Sequence, residues 1–187
     1  MYKYVRFLGI ALILMALVVP ALGSRQALAA KAADIDRDVD SALQKLYAST
    51  PAAKELSKVA KGILVFPSVV KAGFIFGGQY GVGALRKGDK TVGYYNTVEA
   101  SYGLQAGAQA FGYALFFMTD SALEYIKKSS GWEIGVGPSI VVVDKGLASS
   151  LTTTTAKSDI YAFFFDQKGL MGGLGLKGSK ITQITPD

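Results

Sequence analysis

Between positions 35 and 46 the apolar residues Ile35, Val39, Ala42, Leu43 and Leu46 recur at the spacing of one helical face. Asp34, Asp36, Asp38 and Asp40 stand in the first turns, where the helix dipole favours negative charge. Thr50-Pro51 supplies an N-cap and a first helical position, opening a second helix that the pattern carries to about Lys61. At about 100° per residue, Lys54, Lys58 and Lys61 share one side of it, and Ala52, Leu56, Val59 and Ala60 share the other. After Gly62 the period changes to two. Residues 63–66 read as a short buried strand stopped by Pro67, and 71–85 as a strand with Phe74, Phe76, Tyr80 and Val82 on one parity. Arg86-Lys87-Gly88-Asp89 is a polar turn, and 91–96 return as a strand. From Ser101 onward Tyr102, Leu104, Ala106, Ala108 and Ala110 alternate with Ser101, Gly103, Gln105, Gly107 and Gln109, predicting a buried face and a small, polar face. Residues 113–118 continue the sheet, 120–129 are helical on Ala122, Leu123 and Ile126, and 140–143, 151–156, 160–165 and 169–176 complete the strands. The pattern predicts one α+β domain, an N-terminal helical pair packed on a strongly curved, Gly-rich antiparallel β-sheet, barrel- or sandwich-like.

Composition narrows the chemistry. The chain has 187 residues, 20 Lys+Arg, 14 Asp+Glu, and neither His nor Cys. That removes Ser-His and Cys-His nucleophile pairs, imidazole and thiolate metal sites, and disulfides. Its 22 glycines exceed the usual share of about 7% and point to tight turns and closely approaching strands. Lys3 and Arg6 precede an uncharged run over 7–24, and Ala27-Leu28-Ala29 follows as a cleavage site. This is the layout of a secretory signal peptide, with Ala21-Leu22-Gly23 as a second possible site and an uncleaved anchor as the alternative. The expected organisation is a signal peptide at 1–29 and one domain at 30–187, exported to the periplasm or medium. Loss of Lys3, Arg6 and Arg25 lowers the formal charge from +6 to +3, and the case for a nucleic-acid partner falls with it.

Several catalytic and metal motifs fail on spacing. A calcium loop begun at Asp34 would need Gly and Glu where Val39 and Lys45 stand. Ser68-Val69-Val70-Lys71 matches an S-x-x-K pair without its S-D-N and K-T-G companions. The glycine clusters at 77–83 and 172–178 have neither nucleotide-loop spacing. Carboxylate pairs remain open, drawn in space from Glu99, Glu124, Glu133 and Asp144. No cofactor or metal is expected.

Ala60-Lys61-Gly62-Ile63-Leu64-Val65-Phe66-Pro67, followed by Lys71-Ala72-Gly73-Phe74-Ile75-Phe76-Gly77-Gly78-Gln79-Tyr80-Gly81-Val82-Gly83, resembles the opening of the SYLF lipid-binding domain family. The resemblance continues through Ser101-Tyr102-Gly103-Leu104-Gln105-Ala106-Gly107 and Gly135-Val136-Gly137-Pro138 to a closing segment at 168–179, and spans roughly residues 35–184. It implies phospholipid binding. Eukaryotic relatives bind phosphoinositide-rich membranes and some bind actin, whereas secreted single-domain versions look like bacterial periplasmic proteins. For an exported member the resemblance therefore implies an anionic phospholipid membrane surface as partner, and actin is not expected. The residues offer Lys54, Lys58, Lys61, Lys71, Arg86 and Lys87 as the lipid-binding set, with Lys90 beside them, each contributing about 1 kcal/mol near an anionic surface. Phe74, Phe76 and Phe163 to Phe165 have two readings, entry into the membrane interface or core, and core is the one expected. The competing readings are a soluble carrier whose curved sheet encloses an apolar ligand, a small outer-membrane β-barrel and an enzyme.

Overall fold

The computed structural model describes residues 32–73, 76–102, 107–128, 131–169, 176 and 178–186; the expected signal peptide lies outside them. Two helices come first, α1 (Ala32–Ser49) and α2 (Pro51–Ser57). The long strands β1 (Gly62–Gly73), β2 (Phe76–Lys87), β3 (Lys90–Tyr102) and β4 (Gly107–Phe117) follow. Then come α3 (Asp120–Lys128), β5 (Trp132–Glu133), β6 (Ile140–Val143), α4 (Lys145–Ser150), β7 (Ile160–Gly169) and β8 (Lys180–Ile184). All eight strands form one sheet in the order β5-β8-β3-β2-β1-β4-β7-β6. The α+β architecture is as expected, with one difference: β6 runs parallel to β7, so the sheet is mixed.

The sheet curls strongly. Trp132 on β5 stands with its ring 6.2 Å from that of Phe117 on β4, although four strands separate them in the hydrogen-bonded order. The concave side holds one core: Leu64, Phe66 and Val69 of β1, Leu85, Tyr95, Tyr113 and Leu115, closed by Leu123 and Ile126 of α3 and by Ile181 of β8. The convex side holds the other. There Ile35, Val39, Ala42 and Leu46 of α1, with Ala53 and Leu56 of α2, cover Ile63, Val65, Ala84, Ala114 and Phe116. α1 and α2 thus lie on the outside of the curl, where lipid would surround a membrane barrel, and among the described residues the sheet ends in the short strands β5 and β6. No helix among them is long and apolar enough to cross a membrane.

Several boundaries move. β1 does not stop at Pro67. It passes through a bulge between Val65 and Ser68, where the pairing with both neighbours shifts, and a bulge is one of the few places a strand interior accepts Pro. α2 ends at Ser57 rather than near Lys61, because Lys58 and Val59 close a tighter turn onto Glu55 and Leu56. Residues 151–156 are not a strand but a turn held by threonine hydroxyls, with Thr152 N–H donating to Thr155 Oγ1. Of the alternation read at 101–110, residues 103–106 lie outside the described residues; β3 ends at Tyr102 and β4 begins at Gly107.

Candidate functional site

The six predicted cations do not form one surface. Lys54, Lys58, Lys61 and Lys87 are exposed at the end of the sheet where β1 begins and β2 finishes. Even there the lysine row is partly neutralised: Lys58 Nζ donates to both carboxylate oxygens of Glu55, at 2.7 and 2.6 Å, and Lys61 lies 3.7 Å from Asp120. Lys71 and Arg86 depart from the expectation of one exposed cationic surface: both are 8% exposed and each is turned to a carboxylate of the fold, Glu99 and Asp40. Arg86 ties α1 to the sheet. Its guanidinium donates to Asp40 Oδ1 at 2.6 Å and to the Asp36 backbone carbonyl at 3.1 Å. Thr91 and Tyr94 hydroxyls donate to the Asp36 carboxylate. The early aspartates of α1 thus anchor the helix as well as suit its dipole.

Lys71 points into the concave side, 3.2 Å from Glu99. The strand registers place Gln109, Lys71, Gln79 and Glu99 in one row across β4, β1, β2 and β3. Partners in an antiparallel register share a face, so this row is a polar layer inside the curl. Gln79 Nε2 donates to Ser179 Oγ at 2.9 Å, and Ser179 Oγ donates to Glu99 Oε2 at 3.0 Å. One row deeper, the Tyr113 hydroxyl donates to Thr97 Oγ1 at 2.9 Å, and burial pushes that phenol well above its ordinary pKa.

The opposite face of the same strand segments carries what the sequence reading missed. Beyond the helix layer the registers align Lys168, Ala110, Val70, Tyr80, Val98 and Lys180 across β7, β4, β1, β2, β3 and β8. Val70 is 54% exposed, Tyr80 40% and Val98 44%; Phe76, nearer the β1–β2 hairpin, is 75% exposed. Ala72 and Ala100 are exposed beside them. Among the described residues the row Val70–Tyr80–Val98 is an apolar patch that no helix covers, with a lysine at each end, Lys180 having Glu133 as its β5 neighbour. Phe163 and Phe165 are core as expected and Phe164 packs partly buried against the concave core, whereas Phe76 is not core; Phe74 lies outside the described residues. The alternation over 107–110 is likewise inverted, with Gln109 buried and Ala108 exposed.

The catalytic candidates come apart. Ser68 is exposed and Lys71 buried, on opposite faces of β1. Glu99 pairs with Lys71, Glu124 with Lys127, and Asp144 caps α4 through the Leu147 N–H. Among the described residues no group of three or more Asp or Glu could hold a metal.

No curated protein matches the chain. The family model described as "Ysc84: Las17-binding protein actin regulator" matches residues 98–185, from within β3 to just past the end of β8. The match includes the closing glycine-rich motif at 168–179 and not the opening one; over residues 98–185 the chain is similar to the Ysc84 (SYLF) domain, which is consistent with the resemblance read from the motifs.

Proposed function

We propose that the protein is a non-enzymatic phospholipid-binding module that docks peripherally on anionic membrane surfaces of the cell envelope, after export and removal of residues 1–29. The observation that carries this reading is the uncovered row Val70–Tyr80–Val98 between Lys168 and Lys180. An exposed apolar patch rimmed by cations suits a bilayer interface, where apolar side chains enter the headgroup boundary and lysines meet phosphate. The family description concerns an actin regulator that binds Las17; export would put such partners out of reach, and a lipid surface is the partner that remains.

Co-sedimentation of residues 30–187 with vesicles tests this. The protein should pellet with phosphatidylglycerol vesicles more strongly than with phosphatidylcholine vesicles. The difference should shrink as the Debye length falls from about 10 Å at 0.1 M salt to about 3 Å at 1 M. Absence of binding to either vesicle overturns the reading. Binding that ignores lipid charge and salt overturns the anionic surface as the partner.

A further inference from the structure

We infer that the concave face at the hairpin end of the sheet is a binding site for a small hydroxyl-rich group, the polyol headgroup of a phospholipid. The inference rests on the membrane reading for the source of that group, and on separate residues for its chemistry. Gln79 and Gln109 flank Lys71 in the inner row and are 3% and 7% exposed. The Oε1 atom of each lacks a hydrogen-bond partner among the described residues. Turning the Gln79 amide over does not remove the deficit. Ser179 already donates to Glu99 and accepts from Gln79, so one atom of the carboxamide stays unpaired in either orientation. A buried polar group without a partner is costly, and each one asks what satisfies it.

The next inward-facing positions toward the hairpins are Gly73, Gly77 and Gly107, paired with one another in register. The row therefore has no side chain from β1, β2 or β4 above it on that side. Gly107 is exposed and Gly73 and Gly77 are half-buried, which gives a small molecule a route in. The unused capacity defines the ligand. Two carboxamide oxygens call for hydrogen-bond donors. The Lys71 ammonium has three N–H groups and donates one to Glu99, which leaves two calling for acceptors. A hydroxyl is donor and acceptor at once, and neighbouring hydroxyls meet both demands across one strand spacing of about 4.8 Å. The unprotonated oxygens of a phosphate are acceptors alone, and the O–H groups it keeps near neutral pH sit on a single centre, whereas a polyol spreads its donors along a carbon chain toward both glutamines.

Glycerol 1-phosphate and inorganic phosphate, titrated calorimetrically into residues 30–187, test the chemistry. Vesicles of phosphatidylglycerol and of phosphatidic acid at matched charge test the source. Glycerol phosphate should bind at least tenfold more tightly than phosphate, and phosphatidylglycerol should be preferred to phosphatidic acid. Gln79→Leu and Gln109→Leu should each erase both preferences in protein whose melting temperature shows it folded; Gln109→Leu is the cleaner variant because it leaves the Gln79–Ser179 bond in place. Equal affinity for glycerol phosphate and phosphate, or preferences untouched by both substitutions, overturns the site and leaves ordered water as the partner of the amides. Vesicle binding without headgroup preference sinks this site and spares membrane docking. Glutamine-dependent binding of glycerol phosphate without vesicle binding does the reverse and makes the ligand a free polyol.

Discussion

Tyr80 and Gln79 are neighbours in sequence, and their roles are the reverse of what side-chain polarity suggests: the tyrosine faces solvent and the glutamine is buried. The same inversion holds at Val70 beside Lys71 and at Val98 beside Glu99. Alternation reveals that a strand has two faces, but which one turns inward depends on the sense in which the sheet curls, a property of no single strand. Assigning the apolar parity to the core is sound where helices cover the sheet and fails where nothing does. The exposed row should carry the affinity for membranes. Val70→Thr, Tyr80→Thr and Val98→Thr together should weaken binding to phosphatidylglycerol vesicles at least tenfold, on about 1 kcal/mol for each partly exposed apolar side chain moved into the interface. The fold should survive, because Thr is at home in strands. Lys54→Gln, Lys58→Gln and Lys61→Gln together should cost less than about threefold, since Glu55 and Asp120 already offset two of the three charges. Parallel sedimentation assays rank the two variants, and the opposite order would move the contact to the helix end.

At the scale of elements, α1, the start of α2 and α3 were legible because each carries a helical period, whereas the long strands were legible as strands but not in their bounds: the bulge at Pro67 breaks the period of β1, so its far end was read together with β2 as one strand at 71–85. β5 and β8 were not: two and five residues are too few for a period to show, and pairing decided them. Nor was the anchoring of α1 legible, because Arg86 meets Asp36 and Asp40 across some fifty positions. Arg86→Met should lower stability by about 2 kcal/mol by leaving the Asp36 and Asp40 carboxylates without their cation, and calorimetry would register the fall in melting temperature; an unchanged value would mean α1 is held by its apolar face alone. A second fastening joins the starts of β6 and β7. The Ser139 hydroxyl and backbone N–H both donate to Asp159 Oδ2, at 2.8 and 3.0 Å, and Thr119 donates to Oδ1. These bonds, the Ser139 hydroxyl foremost, hold the Asp159 carboxyl below the usual carboxylate range against a small opposing effect of burial. A depressed carboxylate stabilises the fold above its unfolded pKa, and that stability is lost as pH falls through the folded value. Asp159→Asn should therefore lower stability at neutral pH and flatten the acid side of the stability profile, read by denaturant titration between pH 3 and 7 (roughly the carboxylate window). A profile parallel to wild type would remove Asp159 from the account.

Over the whole molecule, charge and apolarity are segregated along the strands. The exposed Lys54, Lys58 and Lys61, in and just after α2, and the lysines of the β2–β3 turn sit at one end. The apolar row and Phe76 sit toward the other, about 26 Å away if β1 rises ~3.3 Å per residue from Gly62 to Val70. Among the described residues, docking through the apolar end brings the exposed Lys168 and Lys180 near phosphate, so Lys168→Gln with Lys180→Gln should flatten the salt dependence of vesicle binding while leaving its high-salt remainder; a salt slope equal to wild type would place the attraction elsewhere. Export is a separate expectation: N-terminal sequencing of material from the periplasm or medium should begin at or near Ala30, and recovery of Met1 in the membrane fraction would refute it.

The bulge at Val65–Ser68 gives β1 something like two reading frames. Upstream, odd-numbered residues Ile63 and Val65 face the helices; downstream, odd-numbered Val69 and Lys71 face the concave interior. Pairing straight through that point, with no residue bulged out, would transpose every side chain that follows. Lys71 would go to the surface, Val70 and Ala72 would take its place inside, and both the outer row and the inner row would be lost together. A deletion of Pro67, by contrast, would take out the extra residue, join the pairings Val65–Ala84 and Ser68–Val82 in one continuous register and leave both rows on their present faces.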